Sequence, residues 1–219
     1  CMYVWGGGWN AADTGPGIEA VTIGVSKRWK EFFLAQDASY DYENTRYQIH
    51  DGLDCSGFVG WALYNGLNVV SGKKGFVMYA KDFAYSLYSW GWGSYTMRLD
   101  VDDYKPGDIF CNEGHVWICL GSCKDGSVVV LHSSPPGVRL CGTPSSSGKK
   151  NSQAVKLAKK YMKKYHPKWY RRYPDCTVSS AYLTSYERFR FETAGYSVCT
   201  DEEGISSLSA QEVLALLAP

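Results

Sequence analysis

The sequence predicts an α+β fold in which a buried helix precedes an antiparallel sheet and further helices follow. Three observations carry this. Residues 55–65 form an apolar run with a polar and glycine-containing start, the pattern of a buried helix. Residues 107–141 hold four short β signals, Asp108–Cys111, His115–Leu120, Ser127–His132 and Val138–Cys141, punctuated by Gly and Asp as hairpins require. Ser152 to Tyr165 is a helix with Val155, Ala158, Met162 and Tyr165 on one face and Lys156, Lys159, Lys160, Lys163 and Lys164 largely elsewhere. A chain of 219 residues fits one domain, or one domain with an appendage, and suffices for a proper core.

The remaining elements follow in chain order. Residues 1–8 form a glycine-rich, aromatic opening. Within 9–52, Lys27 to Gln36 reads as an amphipathic helix with Ser26 as N-cap, and its expected role is packing. The aromatic stretch Tyr40, Tyr42 and Tyr47 is open between packing and a substrate wall. Residues 66–104 are a mixed connection with a helix near Met78–Tyr88, then a turn-rich Ser89 to Ser94. Residues 142–150 are loop-like, and Pro167 is expected to end the lysine-rich helix. Tyr186 to Phe191 alternates and is predicted to add a last strand; Ser209 to Glu212 is a capping box opening a short helix through Leu217. No internal repeat is apparent.

The formal charge is only +1, which excludes global polyelectrolyte behaviour. The chain carries 17 Tyr and 8 Trp, a richness found in secreted carbohydrate-facing proteins without being diagnostic of them. No apolar run approaches the roughly 18 residues of a membrane span, and no signal peptide is present. Residues 149–172 nevertheless hold eight Lys and two Arg with no acidic residue. A solvated helix face is the ordinary meaning of such a run; attraction to an anionic polymer or membrane surface is the functional one. Nucleic acid is disfavoured, because no reading motif accompanies the charge.

Cys55 is the most informative residue, in Asp54-Cys55-Ser56-Gly57-Phe58-Val59. A cysteine on the first turn of a buried helix meets unsatisfied backbone N–H groups and the positive end of the helix dipole. Both favour the thiolate, the form that attacks carbonyls. Two histidines follow at strand-like positions, His115 in Gly114-His115-Val116-Trp117-Ile118 and His132 in Val128-Val129-Val130-Leu131-His132. Alone, the first is ordinarily a hydrogen-bonding core residue and the second a strand cap. Behind a cysteine, the chain order is that of nucleophile, general base and orienting group. His50 and His166 lie outside every motif and take no chemistry.

If Cys55 is a reactive thiol, the other seven of the eight cysteines cannot all pair. Cys111 and Cys119 read as small core residues. Cys123 and Cys141 are spaced to pair across a hairpin, and Cys176 and Cys199 in the tail, although spacing does not fix connectivity. A zinc site from Cys111, Cys119, Cys123 and Cys141 is disfavoured, because no Cys-x2-Cys knuckle occurs. No metal and no cofactor is implied.

Four pieces in order over residues 3–138 resemble the NlpC-type cysteine peptidases that cut bacterial peptidoglycan stem peptides. Tyr3-Val4-Trp5-Gly6-Gly7 is similar to the family's opening motif, and Asp54-Cys55-Ser56-Gly57-Phe58-Val59 to its nucleophile motif. Lys105-Pro106-Gly107-Asp108-Ile109-Phe110 with Gly114-His115-Val116 is similar to its base-bearing hairpin, and Leu131-His132-Ser133-Ser134 to the strand supplying the third polar residue.

The resemblance implies a papain-like fold, with the nucleophile helix on a central antiparallel sheet. It further implies one catalytic domain over 1–219, with core motifs in 1–141, an insertion at 9–52 and a basic helical extension at 142–219. It implies catalysis by Cys55, His115 and His132, with Tyr3, Asp54 and Ser56 contacting substrate or the oxyanion. The implied substrate is a stem peptide, most often cut between γ-linked D-glutamate and the following diamino acid. An anionic cell-wall polymer then becomes a partner for 149–172, and the expected location is secreted or at the cell envelope. Because the chain opens at Cys1, two residues before a motif, it is expected to be the catalytic portion of a longer precursor. An acyltransferase or other amidase using the same dyad, and a non-catalytic wall-binding module, are the alternatives.

Overall fold

The structure is a computed structural model and describes residues 1–217. Among them are six α-helices and a six-stranded antiparallel sheet, the mixed α+β arrangement the sequence predicts. The chain divides into two compact units. The first comprises Cys1–Ala80 and His132–Arg139; the second comprises Lys81–Leu131 and the chain from Leu140 onward.

The first unit is built on helix α2 (Cys55–Leu67), which buries Phe58, Val59, Leu63 and Tyr64. Asp54 caps it at the start, and the backbone turns extended at Asn68. Trp9, Ala20 and Val77 form a buried cluster against which Trp61 of α2 packs. Helix α1 (Lys27–Ala35) starts at Ser26, whose hydroxyl accepts from the Arg28 N–H at 3.3 Å. Its one buried residue, Trp29, meets Trp61 edge-on with ring centroids 5.7 Å apart. This helix therefore packs, as its amphipathic pattern suggests. The N-terminal segment is stitched in by backbone: Met2 bridges to Gly52 and to Gly137, and the Tyr3 N–H donates to the Pro136 carbonyl at 2.9 Å.

In the sheet, β1 (Gly93–Thr96), β6 (Glu187–Phe191), β2 (Ile109–Cys111), β3 (Val116–Ser122), β4 (Val128–Ser134) and β5 (Gly137–Gly142) lie in that order. Ile109 pairs with Ile118 on one side and with Phe189 on the other. In the second unit, Phe110, Trp117, Cys119, Val128, Val130, Cys141 and Tyr186 form the core cluster. Helix α3 (Phe83–Ser89) packs on β1, β2 and β6, while α6 (Ala210–Leu217) packs on β3 and α4 (Gln153–Tyr165).

The last predicted strand exists, and it lies between β1 and β2. It enters with two arginines. Arg190 donates to Asp108 from Nε and from Nη2, both at 2.7 Å, and to Asp103 at 2.9 and 3.0 Å. Arg188 also pairs with Asp103.

One local expectation is corrected and another holds with an addition. Gly93 and Ser94, at the end of the turn-rich stretch, lie inside β1, because β6 supplies a pairing partner: Ser94 aligns with Arg190. Helix α4 ends at Tyr165, ahead of Pro167 as expected, and Pro167 in addition opens a second helix, α5 (Pro167–Arg172), where its missing N–H costs nothing at a first-turn position. Among the described residues no disulfide forms, so neither Cys123–Cys141 nor Cys176–Cys199 is bridged. Cys141 is instead a core residue, as Cys111 and Cys119 are, and burial holds the Cys111 thiol up at about 12.

Candidate active site

Cys55 is the first residue of α2, almost buried at 9% exposure. The carboxylate of Asp54 accepts the Gly57 N–H at 2.7 Å, satisfying one of the orphan donors of the first turn. The Ser56 hydroxyl donates to the same oxygen at 2.7 Å and accepts from Trp9 Nε1 at 2.9 Å. Three neighbours in sequence thus receive different tasks: one caps, one braces the cap, and the one between projects a thiol from the helix start.

Glycines make this geometry possible. The Asp54 N–H donates to the Gly7 carbonyl at 3.0 Å, so the opening segment lies directly against the helix start. A Cβ on Gly57 would fall 2.0 Å from that carbonyl oxygen, and one on Gly7 would fall 2.4 Å from the Gly52 carbonyl oxygen. Only glycine tolerates such backbone-on-backbone contact. The two motifs read from the sequence therefore meet because each surrenders its side chain at the crossing.

Tyr3 is buried, and its phenol is held well above the usual tyrosine range. Burial is the main cause, followed by the charges of Cys55 and Asp54; Arg46 opposes them. Near the thiol, Tyr3 therefore remains an O–H donor at any physiological pH. The stretch left open in the sequence fixes it. Tyr40 donates its hydroxyl to the Tyr3 carbonyl at 2.6 Å, and the Tyr42 ring meets that of Tyr3 edge-on at 5.2 Å. Tyr47 holds a positive φ of 64° and donates its N–H to the Trp5 carbonyl at 3.0 Å.

Asp54 is the electrostatic oddity. Burial pushes its carboxyl up to about 6, against the opposing effect of hydrogen bonds from Gly57, Ser56 and Gly6. His132, on the part of β4 that belongs to the first unit, is 1% exposed. Its neighbour Ser133 donates to the Leu53 carbonyl at 2.7 Å, tying this strand segment to the residue before the cap. Cys55, His132, Tyr3, Asp54 and Ser56 accordingly all belong to one compact unit.

His115 belongs to the second unit, at the turn of the β2–β3 hairpin. Asn112 shapes that turn: its side-chain oxygen accepts the N–H groups of Gly114 at 3.0 Å and His115 at 2.9 Å. The imidazole stands edge-on to Tyr182 at 5.7 Å and to Tyr186 at 6.4 Å. Both tyrosines come from the C-terminal extension.

Sequence reasoning missed Trp9 beside Ser56 in the first unit, and Asn112 and Tyr182 beside His115 in the second. Each lies outside the motifs; only the aromatic richness of the chain hinted at Trp9 and Tyr182. His50, set aside by the sequence, pairs with Glu19 at 2.7 Å. Among the described residues no group of three or more His, Cys, Asp or Glu side chains is placed to hold a metal ion, and no helix is long and apolar enough to cross a membrane. Comparison with protein-family models, curated proteins and solved structures finds no match for the chain.

Proposed function

We propose that the protein is a cysteine peptidase of the NlpC type, with a papain-like fold, that hydrolyses an amide bond in peptidoglycan stem peptides. The observation that carries this reading is the thiol of Cys55 on the first turn of α2, with its start capped by Asp54 and the Tyr3 phenol beside it. The helix start favours the thiolate, and the phenol offers a donor to developing negative charge.

In this reading Cys55 attacks the amide carbonyl while His115 accepts the thiol proton. The tetrahedral oxyanion is met by the backbone N–H of Cys55 and by Tyr3. Its collapse breaks the C–N bond, His115 returns the proton to the leaving amine, and a thioester remains. Water, deprotonated by His115, then releases the acid and restores the thiol. His132 is assigned the orienting role for the base. Asp54 and Ser56 contact substrate in addition to shaping the helix start. The bond assigned is that between γ-linked D-glutamate and the following diamino acid, and the location assigned is the secreted or envelope compartment.

The test is the release of soluble fragments from purified peptidoglycan, with new termini identified by mass. Cys55→Ala and His115→Ala should each abolish release while circular dichroism stays that of the parent. An active Cys55→Ala protein would remove the mechanism. Labelling by a thiol-reactive probe at mildly acidic pH should be faster at Cys55 than at Cys123, and equal rates would count against an activated thiol.

A further inference from the structure

The second unit carries a basic groove that catalysis does not use. Helix α4 buries Ala154, Val155, Ala158 and Met162 and turns its lysines outward. Lys156, Lys160 and Lys164 recur every fourth residue, which stacks them on one helix face about 6 Å apart along the axis. That face is exposed to solvent. It lines two adjoining hollows against α6, of about 240 and 340 Å³, which share Leu157 and Gln211. Lys160 and Lys164 line one, with Leu157 and Leu214 as apolar walls; Lys156 and Lys124 line the other.

Among the described residues, none of these four lysines enters an ion pair. The nearby carboxylates are engaged elsewhere. Asp125 accepts the Ser127 hydroxyl and the Gln153 N–H, and Glu212 accepts the hydroxyl and N–H of Ser209, while retaining a through-space interaction with Lys124. Among the described residues the row is thus a line of cations with no carboxylate within ion-pair distance, bordering two open hollows.

We infer that this groove binds a linear polyol-phosphate chain. The spacing of the lysines is on the scale of successive phosphates along an extended phosphodiester polymer, and Leu157 and Leu214 suit its aliphatic links. A nucleic acid fits less well, because the groove's aromatic rings already contact one another and a lysine: Tyr161 meets Tyr165 at a tilt of 46° with centroids 4.8 Å apart, and Lys164 lies over the Tyr165 ring at 4.6 Å. A lipid surface is the competing occupant and is included in the test. The inference stands independently of the peptidase reading.

The test measures binding of labelled poly(glycerol phosphate) to the full chain by fluorescence anisotropy. Neutralising three phosphates predicts a slope of log affinity against log salt of about −2. Lys156→Gln/Lys160→Gln/Lys164→Gln should weaken binding about tenfold or more and flatten that slope. Lys149→Gln/Lys150→Gln/Lys168→Gln removes the same charge outside the groove and should cost less than about threefold. Circular dichroism checks that both variants fold. Equal losses in the two variants, or no binding at about 0.05 M salt, would overturn the assignment. So would tighter binding of a single-stranded oligonucleotide or of anionic phospholipid vesicles at equal phosphate.

Discussion

Asp54 is placed under two opposed demands. Capping α2 asks for a carboxylate, and three residues donate to it; burial asks for the neutral acid, and burial prevails. The folded-state value of about 6 exceeds the ordinary 3.8, so the native protein holds a proton there that the unfolded chain has already released. Stability linked to this group is therefore largest below about pH 4 and declines as pH rises to about 6, after which it is constant. Asp54→Asn keeps the acceptor and removes the titration. The stability difference, variant minus parent, should grow in the variant's favour between about pH 4 and 6 by up to about 3 kcal/mol and stay flat above. Urea unfolding across that range measures it, and a pH-independent difference would refute the account. The same residues show what was legible at this scale. Asp54, Cys55 and Ser56 are adjacent in sequence, so their joint role at a helix start could be read directly. Trp9 and Tyr42 reach the same spot from 47 and 39 residues away from Ser56 and Tyr3 respectively, through contacts that only folding creates.

Elements were legible to the degree that their stabilisation is local. Helix α4 declares itself through Ser152, whose hydroxyl accepts the Val155 N–H at 3.2 Å, and through one apolar face. The capping box at Ser209 and Glu212 closes as read, with the Ser209 N–H donating to the Glu212 carboxylate at 2.8 Å. Strand β1 was not legible, because its pairing partner β6 lies almost a hundred residues downstream. The alternation of β6 announced a strand, yet nothing in it disclosed the central position; that is set by Arg188 and Arg190 meeting Asp103 and Asp108. Asp108 is only 1% exposed and also accepts the Lys105 N–H at 2.9 Å, so it anchors both the approach to β2 and the strand beside it. Removing its charge leaves Arg190 partly buried with Asp103 as its remaining carboxylate partner. Asp108→Asn should cost more than the roughly 1 kcal/mol of an exposed pair, because Asp108 is buried, and less than the roughly 3–5 kcal/mol of a buried charge left with no partner. Chemical denaturation at neutral pH checks this, and a loss below about 1 kcal/mol, the range of an exposed pair, would mean that Asp108 does not anchor β6.

For the whole molecule, the near-zero net charge conceals a division. Residues 149–172 carry ten basic and no acidic residues; the other 13 Lys and Arg face 22 Asp and Glu, leaving a balance of −9 elsewhere. A formal charge of +1 provides almost no long-range repulsion between copies, so the local fields decide how they meet. At about 0.01 M salt these fields extend about 30 Å and the basic segment of one copy attracts the acidic surface of another, whereas at about 0.15 M they are confined to about 8 Å. Near the sequence pI of about 7.7 the hydrodynamic radius should therefore rise with protein concentration in low salt and shrink as salt is added. Lys156→Gln/Lys160→Gln/Lys164→Gln shifts the formal charge from +1 to −2 and reduces the basic segment to seven cations. It weakens the attraction and adds repulsion, so the low-salt rise should diminish in that variant. Dynamic light scattering over a salt series decides the matter. A radius indifferent to salt in the parent, or an undiminished rise in the variant, would show that the charge division does not govern how copies of this chain meet.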